Sequence, residues 1–392
     1  MPATMSSRQR MLAALRRQEP DHVPCSFMIF GAVRPLSRDY AETIECQVAM
    51  GLDTFVQIPI RPPLWENDYR SLYGMPVSYD PSVRVKEWVE RPHGERWPIL
   101  IKEYHTPAGI LRAEVRQTDD WPLGNHIPFL DDYVTPRSRK FIIESDRDVD
   151  ALRYLLVAPK PAEIAAFQIE AEQAKAQARR HDLLVAGGWG VGADLMGWVY
   201  GLQNMIYAVY DRPALMHHML DLIAGWNQRR MQVVMDAGID LYIYRAWYEN
   251  CDFFSPYTWR EFVYPHLKEG VDLAHERGIL FGYLITASCM PLLDMIAEAG
   301  VDVIIGVDPS EWDMAAVKRK LAGKVCLWGG VNGHLTVEQG TEEAVRQEVR
   351  RAISVLAPSG GFILSPVDNV REDAPLSRRN VNALIDEWQK LT

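Results

Sequence analysis

Cysteine is scarce in this sequence. The five present, Cys25, Cys46, Cys251, Cys289 and Cys326, are scattered, odd in number and without a CxxC pair. That pattern argues against a disulfide framework and a zinc knuckle, and it fits a reducing, cytoplasmic setting. Long apolar runs are missing as well, since none reaches the roughly 18 residues expected of a membrane-spanning helix. Positive charge is not in excess: 42 Lys and Arg against 52 Asp and Glu leave a net charge of -10. Nucleic acid and anionic membranes are therefore not expected partners. The glycines of Gly187-Gly188-Trp189-Gly190 and Gly329-Gly330 lack the spacing of a dinucleotide or phosphate-binding fingerprint, so no nucleotide cofactor is read from them.

What is present is a chain of 392 residues, 48% hydrophobic, long enough for two ordinary domains or for one barrel with insertions. The opening MPATMSSRQRMLAALRRQEP reads as an amphipathic helix ending at Glu19-Pro20 rather than as a signal peptide. From about residue 180 apolar runs alternate with helical stretches. The strand candidates are LLVAGGWG, DLYIYRAW, ILFGYLIT, DVIIGVD, VCLWGGV and GFILSPVD, joined upstream by VPCSFMIFG and DTFVQIPI. Such runs, apolar throughout, belong to strands buried on both faces of a parallel sheet. A helix is expected from Ser255-Pro256 through to Gly278, and a charged, alanine-rich one over 160–180. Eight strands alternating with helices point to an α/β fold, a (β/α)8 TIM barrel with its site on the loops after the strand C-termini. Residues 80–121 alternate polar and apolar residues around Pro92-His93-Gly94, which predicts a β-hairpin excursion after strand 2. Residues 122–145 read as loop, and 1–392 as one domain.

The segments RQRMLAALRRQEPDHVPCSF, HTPAGIL, FSPYTWREFVYPHLKEGVDLAHERGI, PLLDMIAEAGVDVIIGVD, VCLWGGVN and GGFILSPVDNVREDAP together resemble the uroporphyrinogen decarboxylase superfamily. That resemblance covers nearly the whole chain and implies the same barrel. The superfamily holds porphyrinogen decarboxylase and methyltransferases that work with corrinoid, so membership leaves the reaction open.

The zinc-dependent methyltransferases of this superfamily carry a His-x-Cys pair on the strand matching ILFGYLITAS, and a further cysteine at the end of the last strand. By that resemblance the histidine position falls on Leu284, the first cysteine position on Thr286 and the second at or near Asp368. Leu and Thr supply neither imidazole nor thiolate, so no zinc is expected. Cys289, next to Met290-Pro291, reads as a buried inert thiol, and His217-His218 diverge by about 100° on a helix and cannot easily share a metal. The decarboxylase carries Arg-Gln-Ala-Gly-Arg on its first strand to grip carboxylates. This chain has Met28 to Arg34, MIFGAVR, with at most one arginine kept.

At the strand ends the strongest cluster is Tyr244-Arg245-Ala246-Trp247-Tyr248-Glu249-Asn250, where aromatic walls surround one cationic fork. Tyr244, Arg245, Trp247 and Tyr248 are read as substrate-binding, with Arg245 on a carboxylate or phenolate. A salt bridge would look the same. Glu249 and Asp368 are the catalytic candidates as acid or base, against a surface glutamate and a loop-capping Asp-Asn turn. Asn369, Gln57, Arg61 and Trp189 complete the substrate ring, and Asn332 is read as substrate-binding on a weaker claim that Asp308 shares.

These residues support a zinc-independent methyltransferase that passes a methyl group from a small methoxylated aromatic to a corrinoid, with a carrier protein as a further possible partner. The alternative is a cofactor-free decarboxylase of a small aryl or pyrrolic acid, and a third reading is a barrel that only binds a ligand. A homodimer is implied by the resemblance.

Overall fold

The computed structural model describes residues 4–28, 40–58, 71–72, 75–76, 78–367, 370 and 374–391. Its centre is a seven-stranded parallel sheet whose strands neighbour one another in sequence order. They are β1 (Phe55–Ile58), β2 (Leu184–Val191), β3 (Leu241–Arg245), β4 (Leu280–Leu284), β5 (Val303–Val307), β6 (Cys326–Asn332) and β7 (Phe362–Val367). Every residue of β3, β5 and β6 is buried, as expected where helices cover one face and the sheet curls round its own other face.

The eighth expected strand, VPCSFMIFG, is represented among the described residues by an isolated parallel bridge between Cys25 and Leu364. Ser26 N donates to Leu364 O and Leu364 N to Pro24 O, while on the other side Asp53 N donates to Cys25 O at 2.8 Å. This short segment therefore meets both β7 and the approach to β1. The curled parallel sheet agrees with the expected α/β architecture.

Two expectations are corrected. The helix expected from Ser255 to Gly278 is divided into Pro256–Phe262 and Tyr264–His275. Pro265 has no N–H to continue the ladder from the preceding turn, and the helix breaks there. The excursion near residues 80–121 is larger than a hairpin: Arg84–Glu90, Ile99–Thr106 and Gly109–Arg116 pair antiparallel, and Ser138–Lys140 adds a fourth strand from the stretch read as loop. That stretch also buries Ile127 and Val134 against Leu100, Val115 and Trp121. Anchored in this way, it carries Asp131-Asp132 back towards the parallel sheet.

Candidate active site

Arg245 ends β3 with 2% of its surface exposed. Its Nη1 is bonded to the fully buried Asp194, and its Nη2 donates to Asp132 Oδ2 at 2.8 Å and Oδ1 at 3.0 Å. Asp194 also accepts the backbone N–H groups of Trp247 at 3.1 Å and Tyr248 at 2.6 Å, so it shapes the turn after β3. Asp132 further accepts the Tyr248 hydroxyl at 2.7 Å and the Trp198 indole N–H at 2.8 Å. The rings of Trp247 and Trp198 lie 4.1 and 4.7 Å from the guanidinium carbon, a cation–π cage. Burial pushes the Asp194 carboxyl up to about 6 against the pull of Arg245. Burial also works to lower the Arg245 pKa, but the two aspartates outweigh it and hold it above its ordinary value. The fork read as a substrate grip thus has Nη1 and Nη2 engaged by the protein's own carboxylates. Arg245 holds the site together.

Glu249 turns behind β3. Its Oε1 accepts from Ala193 N at 2.9 Å and the Tyr244 hydroxyl at 3.3 Å, and its Oε2 accepts from the Tyr283 hydroxyl at 2.6 Å. Its carbonyl takes the Trp259 indole N–H at 2.8 Å. Gly192 permits this approach, because a Cβ there would come within 2.1 Å of the Tyr244 oxygen and 2.4 Å of Glu249 Oε1. Burial, then the charge of Asp194, raises the Glu249 pKa to about 8, and burial raises Tyr244 and Tyr283 as well. Near neutral pH this carboxyl is mostly protonated. It lines a cavity of about 30 Å³ with Tyr242, Tyr244, Asn227 and His266, between β3 and the helices Pro213–Asp236 and Tyr264–His275. Such a space holds a water or two.

The second cavity, of about 10 Å³, lies at the strand ends and is the mouth of the curled sheet. Met28, Trp247, Leu284, Ile305, Trp328 and Val367 form its apolar walls, with Thr286 and Ser365 as polar points. Leu284 and Thr286, the positions at which the resemblance implies a His-x-Cys metal pair, both line it. Neither carries a zinc donor, so these residues do not fit that metal. The edge of Phe55 meets Trp328, with ring centroids 5.6 Å apart, and the Trp328 indole donates to Ser26 O at 2.8 Å.

The remaining candidates are dispersed. Gln57 lies on β1 with its Nε2 buried and unpartnered. Trp189 is buried with φ of 90°, at the point where the β2–β3 register shifts between Gly188 and Gly190. A bulky residue in that region is strained, and such strain collects at ligand sites. Asn332 Nδ2 donates to Asp308 at 2.9 and 3.1 Å, and its Oδ1 accepts from Leu335 N at 2.6 Å, which ties two loops together. Asp368, Asn369, Arg34 and Arg61 fall outside the described residues. Cys289 is buried, and burial pushes its thiol well above the ordinary range. His217 stacks near Phe262 at 4.7 Å. Among the described residues no three His, Cys, Asp or Glu side chains converge as metal ligands would.

Asp194 and Asp132 were not read from the sequence. Asp194 had a signal, an acid directly after the GGWGVGA strand end and inside the apolar run ADLMGWVY. Asp132, in a stretch read as loop, had none.

The architecture is that of an α/β protein with a curled parallel sheet and a candidate site at its strand C-terminal ends. The sequence profile of the Uroporphyrinogen decarboxylase (URO-D) family matches residues 121–391, and the chain belongs to that family. No curated protein gives a significant match. Among solved structures, a methyltransferase from Methanosarcina mazei is similar in fold, with a TM-score of 0.59, 17% identity and 99% of each chain covered. A B12-independent methionine synthase from Shewanella sp. W3-18-1 aligns with a TM-score of 0.43 and 12% identity, over 56% of this chain and 66% of that one.

Proposed function

We propose that this chain is a zinc-independent methyltransferase that takes a methyl group from a small, uncharged, methoxylated aromatic and passes it to a corrinoid acceptor. The observation that carries this reading is the apolar lining at the strand ends, from Trp247, Trp328, Leu284 and Ile305, with no cationic side chain among the described lining residues; at about 10 Å³ this space must widen to admit a ring. A decarboxylase must hold its substrate's carboxylate, and among the described residues the fork beside the mouth, Arg245, is engaged by Asp194 and Asp132. The fold likeness to a methyltransferase and the family membership support the same direction.

When bound, the corrinoid supplies the nucleophile that accepts the methyl group. The chain's part is to hold the ring between apolar walls, exclude water, and protonate the oxygen left when its bond to the methyl carbon breaks. Asp368 follows Val367, a lining residue, and is our candidate for that proton. Glu249 has the raised pKa of an acid but sits behind β3, and its role in this reading is to hold the turn that bears Trp247. We further propose that the Cys25 segment serves as the eighth strand, closing one (β/α)8 domain over 1–392, and that the protein works in the cytoplasm as a homodimer, with a corrinoid carrier protein as partner.

The test is single-turnover transfer with chemically reduced free corrinoid, a panel of methoxylated aromatics and parallel samples with a chelator. Chelator-resistant methylation of the corrinoid is expected, and Asp368→Asn should slow it by about 10²-fold or more. Absence of transfer, with a carrier protein also supplied, together with carbon dioxide release from an aryl acid, would replace this reading with the decarboxylase.

A further inference from the structure

Glu249 is 1% exposed, yet it does not end in solid packing. Behind it pass the helices Pro213–Asp236 and Tyr264–His275, and between them and β3 lies the cavity of about 30 Å³ that Glu249, Tyr242 and Tyr244 line from the sheet side. Ala224 and Gly270, one from each helix, line it too and are too small to fill the gap. Two bridges join the helices at the surface: Gln228 Nε2 donates to Glu269 Oε2 at 2.9 Å, and His266 Nε2 lies 3.7 Å from Asp221 Oδ1. Gln228 and His266 belong to the lining, so the cavity runs from a buried carboxyl to the helix surface.

A water needs about 10–15 Å³ and two to four polar partners, and this space offers both. His266 stands where such water meets the outside. Its side chain is 18% exposed, Nε2 is turned to Asp221, and Nδ1 is buried with no hydrogen-bond partner. An imidazole can take a proton on one nitrogen and release one from the other near neutral pH. Burial, helped by His217, lowers the His266 pKa against the pull of Asp221 and Glu269, which keeps the ring neutral and able to accept. At the inner end, burial and the charge of Asp194 keep the Glu249 carboxyl protonated, with Ala193 N, Tyr244 and Tyr283 as its partners.

We propose that this cavity is a water-holding passage by which Glu249 exchanges its proton with solvent on the helix side of the sheet, with His266 as the relay at its outer end. The O–H bond of Glu249 breaks and its proton goes to a water in the cavity, which passes one of its own to His266 Nδ1. Nε2 then releases a proton to a base in the solvent beside Asp221. Glu249 is left as a carboxylate and the solvent base carries the proton. This route does not cross the mouth at the strand ends, and it is independent of the methyl-transfer reading.

Rapid mixing of the full chain from about pH 7 to about pH 9.5 brackets the Glu249 value of about 8, and the infrared C=O band of the protonated carboxyl reads the rate of proton loss. Glu249→Gln identifies the band by removing it. His266→Phe keeps a ring in place without its nitrogens, and Ala224→Leu fills the cavity. Each should slow the loss by about tenfold or more, while the midpoint of the band's equilibrium titration stays at the wild-type value. A purely structural role would move the midpoint instead. An unchanged rate in either variant, a change of rate accounted for by a shifted midpoint, or no carboxyl band lost in Glu249→Gln would overturn the inference. The two substitutions lie on different helices, so if one fails to fold the other decides.

Discussion

Asp194→Ala should lower the unfolding free energy by about 3–5 kcal/mol, because it leaves the guanidinium of Arg245 buried without its inner counter-ion. Arg245 is 2% exposed and cannot relax into water without opening the turn after β3. The same substitution strips an acceptor from the backbone N–H groups of Trp247 and Tyr248. Asp132→Ala should cost less, since the Asp132 side chain is 43% exposed and water can replace much of what it does. Urea unfolding at pH 7.5 or so, above the Asp194 pKa of about 6, reads both variants. A joint change, Asp194→Leu with Arg245→Met, should recover part of the loss, because no buried guanidinium is left without a counter-ion, while the Trp247 and Tyr248 N–H groups still lack their acceptor. A loss below about 1 kcal/mol in Asp194→Ala would mean that the Arg245 charge is neutralised by other means.

Glu249 should make the protein less stable as pH rises. Its pKa is about 8 in the folded chain against an ordinary 4.5, so the folded state holds a proton that the unfolded state releases. The stabilisation is complete below about 4.5 and disappears as pH rises through 8, a span worth roughly 5 kcal/mol. Asp194, raised to about 6, works in the same direction at lower pH. Glu249→Gln isolates the first contribution, since a neutral amide can still accept from Ala193 N and pair with the Tyr283 hydroxyl. Denaturant midpoints across pH 5 to 9, converted to free energies, should fall steeply for the wild type and much less for Glu249→Gln. Parallel profiles for the two proteins would show that Glu249 is ionised in the folded state at neutral pH.

Strands at the centre of this fold were readable because a strand buried on both faces must be apolar along its whole length. IILV-rich runs such as DVIIGVD have few other fates. The excursion was readable in kind, from its alternation, but not in extent. Ser138–Lys140 is a short edge strand with intermediate and exposed residues, and nothing local distinguishes it from loop. Pro265 was visible in the sequence as a break, yet the cap at Ser255 and the stop at Gly278 read as the ends of one helix.

The site was legible as a neighbourhood. YRAWYEN at the end of a buried strand marked where Arg245, Trp247 and Glu249 would gather, and Leu284 and Thr286 both line the strand-end cavity. By itself, then, the sequence determined the sheet, the family resemblance and the elements that carry the candidate residues, because these depend on local pattern and residue type. Only the tertiary structure decided which way those residues work. Arg245 meets Asp194, 51 positions away, and Asp132, 113 positions away, and Glu249 turns behind β3 to two tyrosines. Trp247 remains at the mouth with a donor unspent. Charge pairing and burial depend on what surrounds a side chain in space, and a neighbour from a distant loop leaves no mark on the local pattern.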